Sequence, residues 1–282
     1  MRHKSVLISL LAGASMLAAC AEQSAEETVE RAFQDVNVID DANLNDVMLT
    51  VADPNEAVTY FKRVISEQPN NVEFHRGLSQ SLIRAKRNDE GAAAWQKTVS
   101  LPDATNEDRV ELADAMIRSG NWAGAEKTLT AIPPTHETFK RYRLEAIVAD
   151  SKQQWKKADS FYEIAVGLTT KPAPVLNNWG YSKLTRGAYK DAERLFNSAV
   201  TQDGTLFTAK NNLVLARGAQ RNYNLPVVPM DQTERAQLLH TMALSAIKQG
   251  DVETGKGLLR EAIDTHPQHF EAAARSLAAL EA

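Results

Sequence analysis

The sequence predicts an all-α architecture in which antiparallel helix pairs stack into a solenoid. Three observations point there. Small residues recur at Ala57, Gly91, Ala125, Ala158 and Ala192, spaced 34, 34, 33 and 34 apart. Each is followed four positions later by a bulky one: Phe61, Trp95, Leu129, Tyr162 and Phe196. The apolar residues follow helical spacing, and runs alternating like strands are nearly absent. A helix pair cannot bury its apolar face alone, so a unit repeated in this way asks for copies of itself on both sides.

The clearest unit is Asn177 to Val200. Trp179, Gly180 and Leu184 share one face of its first helix; Leu195, Phe196 and Ala199 share one face of its second. Gly187 falls at the reversal, where a helix end favours left-handed dihedrals. Gly180 and Ala192 are small because the two helices must approach closely there. A first unit begins at about Asp40, with Leu44, Val47, Met48 and Val51 on one face, and Pro54 opens its second helix, since proline costs little in a first turn. Ala57, Phe61 and Val64 face inward, and Pro69 closes the unit. A second unit, Val72 to Pro102, uses Leu78, Leu82 and Trp95 as core. A third, Asn106 to Ile132, uses Leu112, Met116, Trp122, Ala125 and Leu129, and Pro133-Pro134 ends it early. A fourth, Phe139 to Leu168, uses Tyr142, Ala146, Ala149, Trp155, Ala158 and Tyr162 and leads into a connector, Lys171 to Pro174.

The sixth unit breaks the pattern. Its first helix carries Phe207, Leu213, Leu215 and Ala216 and is expected to end near Asn222-Tyr223. The next small-residue position falls on Pro226, and Pro226 with Pro229 excludes an ordinary second helix across NLPVVPMD, Asn224 to Asp231. A full unit then resumes from Ala236 to Pro267, and Phe270 to Leu280 forms a capping helix with a polar outer face.

This period and its small-to-bulky spacing resemble the tetratricopeptide (TPR) repeat. That resemblance implies six to seven repeats across 38–282, the sixth interrupted.

Residues 1–19 stand apart. Arg2 and Lys4 precede an apolar run, Val6 to Ala19, too short to span a bilayer and suited to a signal-peptide core. The run ends Leu17-Ala18-Ala19-Cys20, which resembles a bacterial lipobox, and Cys20 is the single cysteine of the 282 residues. Cys20 is therefore the expected lipidation site and a membrane anchor; the alternative is an ordinary signal peptide with a chance cysteine. Ala21 follows, and by resemblance to lipoprotein sorting the absence of Asp there favours the outer membrane. Residues 20–37 carry Glu22, Glu26, Glu27, Glu30 and Asp35 and read as an acidic tether. Losing Arg2 and Lys4 with the leader takes the net charge from −4 to −6, which does not suit a nucleic-acid binder.

The sequence contains no phosphate-binding loop, dinucleotide fingerprint, paired metal motif or nucleophile elbow. His266 and His269 flank Pro267 at a helix boundary, which takes the two imidazoles off adjacent turns of one helix. The chain reads as a non-enzyme without cofactors.

Two asparagine doublets carry the functional signal. Asn177-Asn178 and Asn211-Asn212 lie 34 apart and so share one place in successive repeats. By resemblance to TPR domains that place lines the concave groove, and the second asparagine of each doublet hydrogen-bonds an extended peptide; an amide offers both donor and acceptor to a peptide unit. Tyr181 and Leu215 follow one turn on, and Arg143 holds the matching place in the fourth repeat. The alternative is that these asparagines cap or bridge neighbouring helices. The clustered Lys and Arg of a chaperone-type carboxylate clamp are absent.

The lipobox, the acidic tether, the entry at Ala52 to Phe61, the stretch Asn177 to Gly218 and the HPQHFEAA ending together resemble the TadD-like lipoproteins of the tight-adherence (Tad, or Flp) pilus system. The resemblance implies an outer-membrane lipoprotein on the periplasmic face that binds proteins of the pilus machine and helps its secretin to localise or assemble. A general envelope scaffold, with the same fold and a different partner, is the alternative.

Overall fold

The computed structural model describes residues 41–281. The leader, Cys20 and the acidic tether lie outside the described residues. Among these residues there are fourteen helices and no strand, which is the all-α class that the periodicity predicts. They divide into two compact units between Ala104 and Thr105.

The first unit holds α1 (Asp41–Thr50), α2 (Pro54–Glu67), α3 (Val72–Arg84) and α4 (Asn88–Thr98). Pro54 opens α2, and the Asp53 side chain caps it, accepting from the backbone N–H of Asn55 at 2.8 Å and Glu56 at 3.3 Å. Ala57, Tyr60, Phe61, Val64 and Phe74 form the core, with Leu44, Met48, Leu49 and Leu78 packed against it. The Arg84 guanidinium ties α3 to the end of α1, donating to the carbonyls of Met48 at 2.9 Å and Ala52 at 3.0 Å. Cations suit a helix C-terminus, where carbonyls lack intrahelical partners. The expected α1 face is corrected: Leu44, Met48 and Leu49 pack inward, whereas Val47 and Val51 are exposed. Tyr60 donates to Asn45 Oδ1 at 3.0 Å across the α1–α2 contact, and α1 ends at Thr50, one residue before Val51.

The second unit holds α5 (Asn106–Arg118), α6 (Trp122–Thr130), α7 (Phe139–Ser151), α8 (Trp155–Gly167), α9 (Ala173–Thr185), α10 (Tyr189–Gln202), α11 (Phe207–Ala219), α12 (Gln232–Lys248), α13 (Val252–Thr265) and α14 (Glu271–Glu281). Thr105 and Asp108 form a capping box at α5, as Asp231 and Glu234 do at α12. Pro133-Pro134 limits α6 to nine residues. Trp122 is not core: it opens α6 at the turn and is exposed. Trp155 is likewise a first-turn residue, half-buried with the Arg186 guanidinium 5.5 Å above its ring. The connector before α9 is shorter than expected, because Pro174 lies within the first helical turn.

The close approach in the fifth repeat is direct. A Cβ on Gly180 would sit 2.6 Å from the Phe196 ring, so only glycine lets that ring of α10 come this close to α9. Burial of Phe196 is complete, which stabilises the pair by about 2–3 kcal/mol. Gly187 has φ +79°, the left-handed reversal its position predicts.

The sixth repeat has a first helix and no second. α11 stops at Ala219, three residues short of the expected end, and the Gln220 backbone N–H closes it on the Arg217 carbonyl. Side chains of the following segment take over the packing of the missing helix. Pro226 is buried. Val228 packs against the Leu195–Ala199 cluster and the Phe196–Leu213 cluster. Tyr223, Leu225 and Met230 cover Val214, Leu238 and Met242.

Candidate functional site: the face formed by α9, α11 and α12

The missing helix changes how neighbouring first helices meet. Asn212 Nδ2 donates to Asn177 Oδ1 at 3.0 Å, joining α11 to α9 across a sequence separation of 35. Thr241 Oγ1 donates to Asn211 Oδ1 at 2.8 Å, joining α12 to α11 across a separation of 30. The second step is five residues shorter than the first. The shorter step carries Leu215 onto Ser245 of α12, with the exposed Leu244 beside it.

The four asparagines divide by role. Asn212 is buried, with its amide on Asn177, and Asn211 accepts from Thr241. These contacts bridge helices. Asn178 is half-buried beside them. Tyr181 is 54% exposed and Leu244 44% exposed, so α9 and α12 present large apolar surface on this face. Arg143 is half-buried on α7, and its Nε is buried without an acceptor.

Between these helices lies a cavity of about 530 Å³. Leu184, Leu215, Ala219 and Leu244 supply its apolar walls, Tyr189 stands at one edge and Lys248 at another. Among the described residues that line it, Lys248 alone carries a charge. The wall between α11 and α12 is tight: a Cβ on Gly218 would meet Ser245 Oγ at 2.3 Å, and the Gln249 side chain donates to the Gly218 carbonyl. Tyr181 and Leu215 were legible as candidates from the sequence. Leu184 was legible only as a packing residue, and Thr241, Leu244 and Lys248 were not, because a step of 34 from Leu215 passes over them to Gln249 at the cavity's far end.

A polar brace holds α9 behind this face. Trp179 Nε1 donates to Asp159 Oδ1 at 2.6 Å, Lys183 Nζ to Asp159 Oδ2 at 2.9 Å, and Arg186 to Asp159 Oδ1 at 2.5 Å. Burial pushes the Asp159 carboxyl up, but its donors Lys183, Trp179 and Arg186 outweigh burial and hold it below the ordinary aspartate value. The next repeat echoes the brace: Gln220 Nε2 donates to Glu193 Oε2 at 2.7 Å, and Arg217 lies 3.9 Å from Glu193 Oε1. Asp150 is held differently, accepting from Tyr162 at 2.9 Å and Ser182 at 2.7 Å. Burial raises its carboxyl despite those donors. These groups tie neighbouring helices to one another.

His266 and His269 do not converge. His266 Nδ1 contacts the Gln268 backbone and its ring stacks on Phe270, while His269 pairs with Glu271. Among the described residues no group of three or more His, Cys, Asp or Glu side chains is placed to hold a metal ion. No described helix is long and apolar enough to cross a membrane.

Tetratricopeptide repeat models match residues 49–104 and 237–269. Stress-induced-phosphoprotein 1 of Caenorhabditis elegans is 24% identical over 149 residues, covering 52% of this chain and 46% of that protein. The chain thus spans about half the length of that curated relative. The Cut9–Hcn1 hetero-tetramer of the APC/C is similar in structure, with a TM-score of 0.59 at 12% identity over 85% of this chain and 47% of that one. PilW, a type IV pilus biogenesis factor, is similar with a TM-score of 0.57 at 13% identity over 83% of this chain and 99% of that one. At such identities the likeness is one of fold, and the fold is that of a TPR solenoid built of tetratricopeptide repeats.

Proposed function

We propose that this chain is a non-enzymatic TPR adaptor that holds an extended segment of a partner protein against α9, α11 and α12. The carrying observation is the cavity walled by Leu184, Leu215 and Leu244, with Tyr181 exposed on the same face. Exposed apolar side chains around a concavity, with an amide at Asn178 beside them, suit a peptide that contributes side chains and backbone together.

The adaptor is proposed to work as a lipid-anchored outer-membrane protein of the Tad/Flp pilus system, assisting its secretin. The lipobox at Cys20 and the TadD-like stretches support this, and the likeness to PilW fits a pilus-related role. Tethering raises the effective concentration of a partner at the membrane, so modest contacts suffice.

Membranes of a deletion strain, fractionated and probed for the secretin multimer, test the reading. Loss of the multimer from the outer membrane, restored by the wild type and not by Cys20→Ser, supports it. An unchanged secretin with normal pili overturns it and moves the role to a general envelope scaffold.

A further inference from the structure

The identity of the segment held by the α9–α11–α12 face follows from the chemistry of its cavity. This rests on the adaptor reading above and goes further, to the class of sequence that fits. Its apolar walls are leucine and alanine, Thr241, Ser245 and Gln249 add neutral polar groups, and Lys248 stands at the rim with no carboxylate among the described lining residues. This is uncommon for the chain, which has 36 acidic against 32 basic residues. Elsewhere in the second unit basic side chains near the inner helices are paired: Lys140 with Glu111 at 2.5 Å, Lys183 with Asp159 at 2.9 Å and Lys210 with Glu234 at 2.7 Å.

The face therefore has an apolar socket at its centre and one exposed cation at the socket rim.

We infer that the socket takes a bulky apolar side chain from an internal, extended partner segment in which an acidic residue stands beside that side chain, its carboxylate meeting Lys248. The apolar side chain supplies the burial, and the acid sets direction and choice of partner. The arrangement differs from a clamp on a chain terminus, which needs clustered cations, because Lys248 is the one charged residue among the described lining residues. Apolar contact carries the affinity here, and rim charges tune specificity and rate more than strength.

The test uses the full chain and three sets of fluorescein-labelled peptides with a central leucine flanked by aspartate, asparagine or lysine, titrated by fluorescence anisotropy. The aspartate set should bind about three- to tenfold tighter than the asparagine set at low salt, with the gap closing at high salt. Lys248→Glu should reverse the order in favour of lysine flanks. Leu244→Asp should weaken all three sets at least tenfold. Circular dichroism would establish that each variant keeps its helices, with Leu244→Ala standing in for a Leu244→Asp that does not. Equal binding of the three sets, or an order unmoved by the charge reversal, overturns the acidic-segment inference; if Leu244→Asp still abolishes binding, the adaptor face itself stands. Binding by none of the sets, or binding indifferent to both leucine variants, overturns the inference and the choice of face together.

Discussion

Asn212 donates its side-chain amide to Asn177 across 3.0 Å, from a position only 8% exposed. The second residue of one doublet, expected to meet a peptide, thus meets the first residue of the preceding doublet. Asn212→Ala should leave the Asn177 carbonyl short of a donor and cost about 1–2 kcal/mol in urea unfolding. Asn178→Ala should leave stability within about 0.5 kcal/mol, as surface changes do, and weaken peptide binding instead. The reverse pattern, a stable Asn212→Ala and an unstable Asn178→Ala, would sink this division of labour.

Gly180 sets a second expectation in which two effects oppose. Alanine in a helix interior is favoured over glycine by about 1 kcal/mol. Here the new methyl would sit 2.6 Å from the Phe196 ring, and overpacking costs about 1–3 kcal/mol. Gly180→Ala should therefore lower the melting temperature, and Phe196→Leu should recover part of the loss in that background while lowering stability on its own. A more stable Gly180→Ala would mean that α10 can back away from α9 at little cost.

Acid sensitivity should report the Asp159 brace. Its carboxyl titrates lower in the folded chain than in the unfolded one, because Lys183, Trp179 and Arg186 donate to it against the opposing effect of burial. The stabilisation is thus present above the unfolded aspartate value, about 4, and is lost as pH falls through the lower folded value. Urea unfolding of wild type and Asp159→Asn should differ at pH 6, with the gap beginning to close below about pH 4 and closing fully only below the folded value. A gap that stays constant with pH would assign the effect to shape and not to charge.

What the sequence made legible were the features that backbone sterics enforce. Gly187 had to reverse a helix, Pro226 and Pro229 had to prevent one, and the small residues had to recur wherever two helices touch. Charged partnerships were hidden: Asp159 meets Lys183, Trp179 and Arg186 only after α8 and α9 pack, and nothing local to Asp159 announces it. The candidate face was half visible for the same reason. Tyr181 and Leu215 follow the 34-residue step, but the segment after α11 shortens the next one, and only the Asn211–Thr241 bond reveals by how much. Trp122 and Val47 show the opposite failure, where a helical apolar pattern was read as burial and the side chains face outward.

The proline segment offers the sharpest contrast between adjacent residues. Val227 is fully exposed, whereas Val228 packs between the cluster of Leu195 and Ala199 and that of Phe196 and Leu213. If the segment stands in for a second helix, the energy should lie in the inward side chains and not in the chain's path. Val228→Ala should cost about 1 kcal/mol or more, from lost transfer energy and a partly unfilled cavity, while Val227→Ala should stay within about 0.5 kcal/mol. The effect should also reach function, because Val228 supports α11 and α11 carries Leu215: Val228→Ala should weaken binding at the Leu215–Leu244 cavity, and Val227→Ala should not. Equal effects of the two variants would mean that the segment is a passive connector, and that α11 is held in place by α9 and α12 alone.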